Sequence, residues 1–257
     1  MIIRDITAPN PGPFTLSGTR TYLLGETAVI DPGPDIRSHV AAIGRAMPSL
    51  RTILITHRHE DHAPAAVRLK RATGARILAP HGVLDDKIVD QRISDGEMIA
   101  IEGETLEVIA TPGHTREHVC FLTSAGDLFS GDTVLGEGTT AIFPPDGSMR
   151  EYIASLRRLL THEPKRIFPA HGPNRDEAPT LIEHYIAHRL QREKQVLESL
   201  AEGASSVSAM RKRIYPDLNF LLRRAAEIQI TAHLNKLIEE GRVVEHKGAY
   251  AIQCAAQ

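Results

Sequence analysis

The feature that most constrains the fold of this chain is a group of metal-binding side chains that directly follows an apolar segment. Residues 52–56 read TILIT, which is typical of a buried strand, and residues 57–62 read HRHEDH. In an extended chain His57, His59 and Asp61 point to one side, because successive side chains alternate, and His62 points to the other. Ligands at one strand end that face two points predict a site for two metal ions.

The first 170 residues alternate short apolar segments with amphipathic ones, and Gly and Pro lie at the junctions. Strands are predicted at 21–25, 28–31, 52–56, 76–79, 105–110, 119–123, 128–130 and 166–168, and helices at 36–47, 62–73 and 149–161. Because the strands come in twos and threes between helices, the pattern favours a layered α/β structure with sheets in the middle.

The remainder of the chain has a different pattern. A long helix is predicted at 177–203, followed by helices at 207–214 and 220–241 and a hairpin with strands 243–245 and 250–252. Helices followed by a two-stranded wing indicate a winged-helix module. We therefore expect a catalytic domain at 1–180, and a linker helix with a winged-helix domain at 181–257.

Charge and hydropathy limit the kinds of partner that the protein is expected to bind. The formal net charge is −2, and it divides into 19 Lys/Arg against 24 Asp/Glu in residues 1–184 and 11 against 8 in residues 185–257. The mildly basic tail permits contact with nucleic acid without requiring it. Because no apolar stretch approaches 18 residues and the N-terminus lacks a signal-peptide pattern, we expect a cytoplasmic protein without a membrane partner.

Three further candidate ligands each end a predicted strand beside Gly or Pro. His114 lies in TPGHT, Asp132 in SGDT and His171 in PAHGP. Together with the first cluster they make seven nitrogen and oxygen ligands without a thiolate. Such a set suits two Zn²⁺ ions, with Mn²⁺ or Fe²⁺ as alternatives.

In this order, the motifs HRHEDH, TPGHT, SGDT and PAHGP resemble those of the metallo-β-lactamase superfamily, over residues 15–175 approximately. The resemblance implies a four-layer αββα sandwich. It also implies that His57, His59 and His114 hold one metal, that Asp61, His62 and His171 hold the second, and that Asp132 bridges the two. We expect Asp61 to be the catalytic residue, because it would also orient a metal-bridging hydroxide.

Three features resemble the β-lactamase-like protein 2 group, which is described as single-strand-selective endoribonucleases: the segments GEGTT (136–140) and YIAHR (185–189), and the winged-helix tail. Thr139 and Thr140 are candidates for contact with a substrate oxygen or for capping a loop. His188 is a candidate for contact with substrate from the rim of the site.

Three functions compete at this point. The first is a phosphodiesterase that cuts single-stranded RNA. The second is a thioester or ester hydrolase, similar to the hydroxyacylglutathione hydrolases, which act on small molecules. The third is a winged-helix binding protein with a structural metal site, although structural zinc sites are closed by four protein ligands. Basic residues of the tail, Arg211–Arg213 and Arg223–Arg224, fit either a phosphate backbone or a second subunit, so a homodimer is one expectation.

Overall fold

The computed structural model describes residues 1–253, so the last four residues of the predicted C-terminal domain lie outside the described residues. The first sheet has the strand order β1 (Ile3–Thr7), β2 (Arg20–Leu24), β3 (Ala28–Ile30), β4 (Thr52–Leu54), β5 (Arg76–Ala79) and β6 (Gln91–Arg92). β1, β2 and β3 pair antiparallel, whereas β3 to β6 run parallel. The carboxyl ends of β3 and β4 therefore meet at one edge.

The second sheet has the order β11-β10-β9-β8-β7. Its strands are β7 (Met98–Ile101), β8 (Glu104–Ala110), β9 (Val119–Thr123), β10 (Asp127–Gly131) and β11 (Arg166–Pro169). Only β10 and β11 are parallel here, and the other neighbours are antiparallel. The carboxyl ends of β10 and β11 consequently lie side by side.

Alternation of side chains along the strands produces four layers. Ile53 of β4 packs into a core with the helices α1 (Arg37–Ala46) and α2 (Ala65–Thr73), while its neighbour Leu54 packs between the two sheets with Phe121 and Phe129. On the far face of the second sheet, Cys120 packs with the helices α3 (Met149–Thr161) and α4 (Ala178–Ala201). The predicted αββα sandwich is confirmed.

Three strands were missing from the prediction. In β1 two isoleucines are half-buried and the other three residues are exposed, β6 has two residues, and β7 alternates exposed with buried positions. Short strands at a sheet edge bury little apolar surface, so they leave a weak pattern in the sequence. The helix predicted from 62 begins at Ala65, because the preceding residues form turns.

The C-terminal unit is a winged helix, as predicted. It contains α5 (Val207–Ile214), a 3₁₀ turn (Phe220–Leu222), α6 (Arg223–Glu239) and the hairpin β12 (Val243–His246) and β13 (Ala249–Ile252). One helix predicted at 220–241 is thus divided into a turn and α6. Val196 and Leu200 of α4 pack into the core of this unit. Within residues 1–253, every helix is too short or too polar to span a bilayer.

Candidate metal centre

The structure brings all seven predicted ligand side chains together where strands of both sheets end. His57 follows β4 by three residues, and His59, Asp61 and His62 lie in the turn that leads to α2. The other three come from the second sheet: His114 from the β8–β9 loop, Asp132 from the residue after β10, and His171 from the segment after β11. Strand ends are fixed by sheet pairing, so they hold these side chains on a rigid frame.

Four of the side chains form a first cluster. Nδ1 of His59 lies 2.9 Å from Nε2 of His57 and 3.0 Å from Nε2 of His114. Oδ2 of Asp132 lies 3.4 Å from Nε2 of His114 and 3.9 Å from Nε2 of His57. One ligand atom from each residue thus falls within 4.8 Å of the others.

A second cluster shares the same aspartate. Oδ2 of Asp61 lies 3.4 Å from Nε2 of His62 and 3.3 Å from Nε2 of His171. Oδ1 of Asp132 lies 3.4 Å from Nε2 of His62 and 3.2 Å from Nε2 of His171. The two oxygens of Asp132 therefore face different clusters, which is the arrangement of a bridging carboxylate.

Asp31 fixes the tautomers of two histidines through hydrogen bonds to the ring side that faces away from the clusters. Its Oδ2 accepts hydrogen bonds from Nδ1 of His62 (2.8 Å) and from the Thr56 hydroxyl (2.8 Å). Because that hydroxyl donates to Asp31, it accepts from Nδ1 of His57 at 3.0 Å. In the neutral form of both imidazoles, the lone pair of Nε2 therefore faces the clusters. Asp31 also lies within 4.8 Å of His57 and His62, but its oxygens are occupied by these hydrogen bonds, so we assign it an orienting role.

Backbone carbonyls orient two more imidazoles. Nδ1 of His114 donates to the carbonyl of Ala141 at 2.8 Å, and Nδ1 of His171 lies 3.4 Å from the carbonyl of Gly18. A carbonyl oxygen only accepts, so in the neutral form of each ring the lone pair is on Nε2, which faces the ligand clusters.

The arrangement fits divalent metal ions on two grounds. Nε2 of His62 and Oδ1 of Asp132 are buried without a hydrogen-bond partner among the described residues. Buried polar atoms are rarely left unpaired, because the loss of water costs free energy that nothing then offsets. Lone pairs of several imidazoles also converge at about hydrogen-bond distance, where they repel one another unless a cation lies among them. Nitrogen and carboxylate oxygen ligands are those that zinc binds.

The two clusters differ in their electrostatics. Burial alone would lower the pKa of His171, but the nearby carboxylates of Asp132 and Asp61 raise that pKa to about 9. Burial likewise opposes the protonation of His62, yet Asp61, Asp132 and Asp31 raise its pKa well above the usual range. Burial and the neighbouring His114 instead lower the pKa of His59 to about 4. The second cluster therefore attracts cations strongly, and the first offers neutral imidazoles.

The turn into Asp132 requires glycine and a histidine that we did not single out from the sequence. Gly131 has φ +49°, and a Cβ atom there would lie 2.7 Å from Nε2 of His118 and 2.8 Å from the Thr56 hydroxyl. Nε2 of His118 accepts a hydrogen bond from the backbone N–H of Asp132 at 3.1 Å. His118 thus fixes the position of Asp132.

Two further residues were missed because they precede the first predicted strand. The Thr19 hydroxyl donates to Oδ2 of Asp61 at 2.9 Å. Asn10 holds Thr19 in place, since its Nδ2 donates to the Thr19 hydroxyl (2.9 Å) and its Oδ1 accepts from the Thr19 backbone N–H (2.9 Å). No periodicity in this segment indicated such a role.

A pocket of about 440 Å³ opens onto the ligand clusters. Phe14, which is 61% exposed, contacts Phe143 edge to face across a centroid distance of 5.9 Å. The other lining residues outside the clusters include Pro13, Leu16, Leu135, Glu60 and Glu137. The pocket therefore combines apolar and aromatic walls with two acidic side chains beside the metal ligands.

The predicted substrate contacts take three different positions. Thr139 is exposed and lines this pocket. Thr140 is buried, and its hydroxyl donates to the Asp132 carbonyl at 2.8 Å, so it secures the loop. His188 lies on α4 outside this pocket, beside a smaller cavity that also reaches Thr139. Their roles toward substrate remain predictions.

Gln229 of the winged helix contacts a loop beside the site. Nε2 of Gln229 on α6 donates to the carbonyl of Ile142 at 3.0 Å, and the N–H of Ile142 lies 3.4 Å from Oε1 of Gln229. The preceding residue, Ala141, accepts the hydrogen bond from His114. The position of α6 is thereby linked to that of a ligand.

Comparison with known families agrees with this geometry. Residues 15–171 match the Metallo-beta-lactamase superfamily, and residues 206–250 match the Beta-lactamase associated winged helix domain. The chain belongs to the metallo-beta-lactamase superfamily, whose members are typically hydrolytic enzymes, as the sequence motifs predicted.

Among individual relatives, the chain is 36% identical to a Beta-lactamase-like protein 2 homolog of Drosophila melanogaster, covering 93% of this chain and 89% of the relative. It is 34% identical to the homolog of that name in Caenorhabditis elegans, with 95% and 86% covered. It is also 33% identical to an atrochrysone carboxyl ACP thioesterase of Cryptosporiopsis sp. (strain 8999), with 80% and 65% covered. The predicted resemblance to the β-lactamase-like protein 2 group is confirmed.

Solved structures show the same fold at low identity. A beta-lactamase domain protein from Burkholderia ambifaria superposes with a TM-score of 0.83 at 22% identity, covering 97% of this chain and 91% of that one. A metallo-beta-lactamase family protein from Thermus thermophilus gives a TM-score of 0.78, also at 22% identity, covering 97% and 98%. These similarities extend over both the sandwich and the winged helix.

Proposed function

We propose that this protein is a hydrolase with two divalent metal ions, zinc by preference and manganese or iron as alternatives. One ion would be held by His57, His59 and His114, and the other by Asp61, His62 and His171. The observation that carries the proposal is Asp132, whose two oxygens lie within 3.4 Å of nitrogens in different clusters. Seven ligands beside an open pocket weigh against a closed structural metal site.

The reaction we propose is attack by water on a substrate bound in the pocket. When bound, the metals would lower the pKa of water from about 15.7 toward 7 and polarise the scissile group. Asp61 lines the pocket, and burial opposes its charge, but His62 and His171 keep its pKa below the usual range, so it is ionised. With Oδ2 fixed by Thr19, the Asp61 carboxylate would accept a hydrogen bond from the attacking water and orient it. We therefore assign Asp61 as the catalytic residue.

For the substrate we propose a phosphodiester of single-stranded RNA. Phe14 and Phe143 present aromatic surface beside the ligand clusters. Unpaired bases stack on such surfaces, and the gain is roughly 1–3 kcal/mol per base. The similarity to the Beta-lactamase-like protein 2 homologs, over 93–95% of this chain, supports the same assignment, because members of that group are described as single-strand-selective endoribonucleases.

A second candidate is the hydrolysis of a thioester or ester. Glu60 and Glu137 at the pocket would repel a phosphodiester, and the apolar side chains of Leu16 and Leu135 suit an acyl chain. A thioesterase is also among the relatives. The same ligand clusters would serve either bond, so the choice between them needs an experiment.

The test compares metal-loaded wild-type protein with three variants on labelled unstructured RNA and on an S-acyl glutathione. His59→Ala removes a ligand, and we expect it to abolish turnover, whereas His81→Ala removes an exposed histidine outside the clusters and serves as the matched control. Phe14→Ala should raise KM for RNA about tenfold, because one stacking surface is lost. Thioester turnover with intact RNA would reject the nuclease proposal, and turnover by metal-free His59→Ala would reject the two-metal mechanism.

A further inference from the structure

A second cavity lies between α4, α5 and α6, adjacent to the metal pocket. Its volume is about 220 Å³, and Thr139 lines both this cavity and the metal pocket. Four basic side chains line it: Arg189, Arg192 and His188 from α4, and His233 from α6. We refer to it below as the basic cavity.

The two arginines of the basic cavity have no acidic partner among the residues that the structure describes. Arg189 is only 2% exposed, and its guanidinium donates to the carbonyl of Thr140 and lies 3.5 Å from Oε1 of Gln229, while its Nε atom has no partner. Arg192 stacks on the Tyr215 ring at 4.7 Å from the centroid. Within residues 1–253, no carboxylate forms an ion pair with either guanidinium.

Two other arginines of the same region are neutralised. Arg211 pairs with Glu227 at 2.9 Å, and Arg242 pairs with Glu193 at 2.8 Å. A buried charge is normally paired, because removal from water is otherwise costly. Arg189 lies 5.3 Å from the centroid of the Tyr152 ring, but its charge has no counter-charge among the described residues.

The histidines show the same lack of partners. His233 is 2% exposed, and neither of its ring nitrogens has a hydrogen-bond partner among the described residues. Nδ1 of His188 is also buried without a partner. Burial and the nearby Arg189 lower the pKa of His233 to about 3 and that of His188 to about 4. Both rings are therefore neutral at physiological pH, and each carries one N–H group. That of His233 has no acceptor among the described residues.

We propose that the basic cavity binds a phosphate group. The cavity offers many hydrogen-bond donors: two guanidiniums, two imidazole N–H groups and the Thr139 hydroxyl. A carboxylate has only two oxygens to accept from them, whereas a phosphate has more. The volume is below the roughly 300–1,000 Å³ of pockets for drug-sized ligands, so it suits a single small group. That group is a phosphate of the polynucleotide substrate or a free phosphate ion. Only the first of these sources rests on the proposed function.

Binding is tested with inorganic phosphate titrated into metal-loaded protein, with the ring nitrogens of His233 and His188 followed by NMR. We expect the nitrogen chemical shifts of both rings to follow one saturation curve as phosphate is added. Arg192→Gln should weaken phosphate binding at least tenfold. Arg71→Gln on α2, which removes a charge remote from the cavity, should leave it unchanged. Should Arg192→Gln fail to fold, His188→Gln replaces it.

Two results would overturn the proposal: rings of His233 and His188 that do not respond to phosphate, or equal affinities in the Arg192→Gln and Arg71→Gln proteins. Phosphate that occupies only the metal centre would leave the two rings unaffected, so it counts against the basic cavity.

RNA kinetics then distinguish the two sources. If the cavity takes a substrate phosphate, Arg192→Gln raises KM for RNA about tenfold, with kcat within twofold and thioester kinetics unchanged. If the cavity takes free phosphate, added phosphate changes the rate of the wild-type protein. Arg192→Gln then leaves KM for RNA unchanged but removes this effect of phosphate on the rate. A wild-type protein that does not cleave RNA would reject the proposed substrate but leave the phosphate titration intact.

Discussion

The substitution Asp31→Asn should impair the second metal site although Asp31 is not assigned as a ligand. Asp31 is 2% exposed and accepts three hydrogen bonds of 2.8 Å: from the Thr56 N–H at Oδ1, and from the Thr56 hydroxyl and His62 Nδ1 at Oδ2. Its φ of +49° is one that Asn adopts readily, so the backbone should be retained. The substitution therefore changes hydrogen bonding with little change of shape.

The magnitude follows from counting donors. Asn has one oxygen where Asp31 has two, so it cannot accept from both the Thr56 N–H and the His62 Nδ1–H. One buried donor then loses its acceptor, which costs about 1–3 kcal/mol of unfolding free energy. If the amide faces His62, the ring changes tautomer and directs an Nε2–H at Asp61 and Asp132. Metal affinity should fall about 10–100-fold, as for other residues that orient ligands.

The assay is competition with a chelator, followed by the metal content of the protein from elemental mass spectrometry. Asp35→Asn is the matched control, since Asp35 is exposed and pairs with Arg68 on the surface, where ion pairs contribute about 0–1 kcal/mol. We expect Asp31→Asn to lose one metal at chelator concentrations that leave two on the control. Equal retention of both metals in the two variants would refute the assigned role of Asp31.

Three other effects are expected. Gln229→Ala removes the hydrogen bonds to Ile142, so it should raise KM several-fold at unchanged metal content; an unchanged KM would show that the loop does not depend on α6. The raised pKa of His171 stabilises the metal-free protein fully below about pH 6.5, and this stabilisation is lost as the pH rises through about 9. Calorimetry near pH 8 should therefore show that metal binding releases a proton, and the absence of proton release would contradict the raised pKa. Gly113 has φ +137°, and the Cβ atom of Gly113→Ala would lie 2.3 Å from a backbone atom of α3. Urea unfolding should therefore show that the free energy of unfolding falls by at least about 2 kcal/mol. Gly44→Ala, whose surroundings are open, should show no such loss.

The convergence of the candidate ligands could be predicted because each of them is a local feature of the sequence. His57, His114, Asp132 and His171 each follow a strand or strand-like segment beside a turn, and strand ends can be read from apolar runs. The layer order could be predicted as well, since it follows from strands grouped between helices.

Contacts between distant segments could not be predicted in this way. Thr19 reaches Asp61 across 42 residues of sequence through a loop that has no periodic pattern. His118 packs behind Asp132 because of the antiparallel pairing of β9 and β10. His188 has a plain helical position in sequence, and only the packing of α4 against α6 places it at a second cavity. The positions of Thr19, His118 and His188 therefore depend on tertiary packing rather than on local propensity.

The central claim, that two metals are held by seven side chains and bridged by Asp132, is tested most directly by native mass spectrometry of the purified, metal-loaded chain. We expect two divalent ions per wild-type chain and at most one tightly bound ion in Asp132→Ala, because both clusters use that carboxylate. A wild-type chain that binds a single ion, or an Asp132→Ala chain that retains two with unchanged affinity, would contradict the two-metal site.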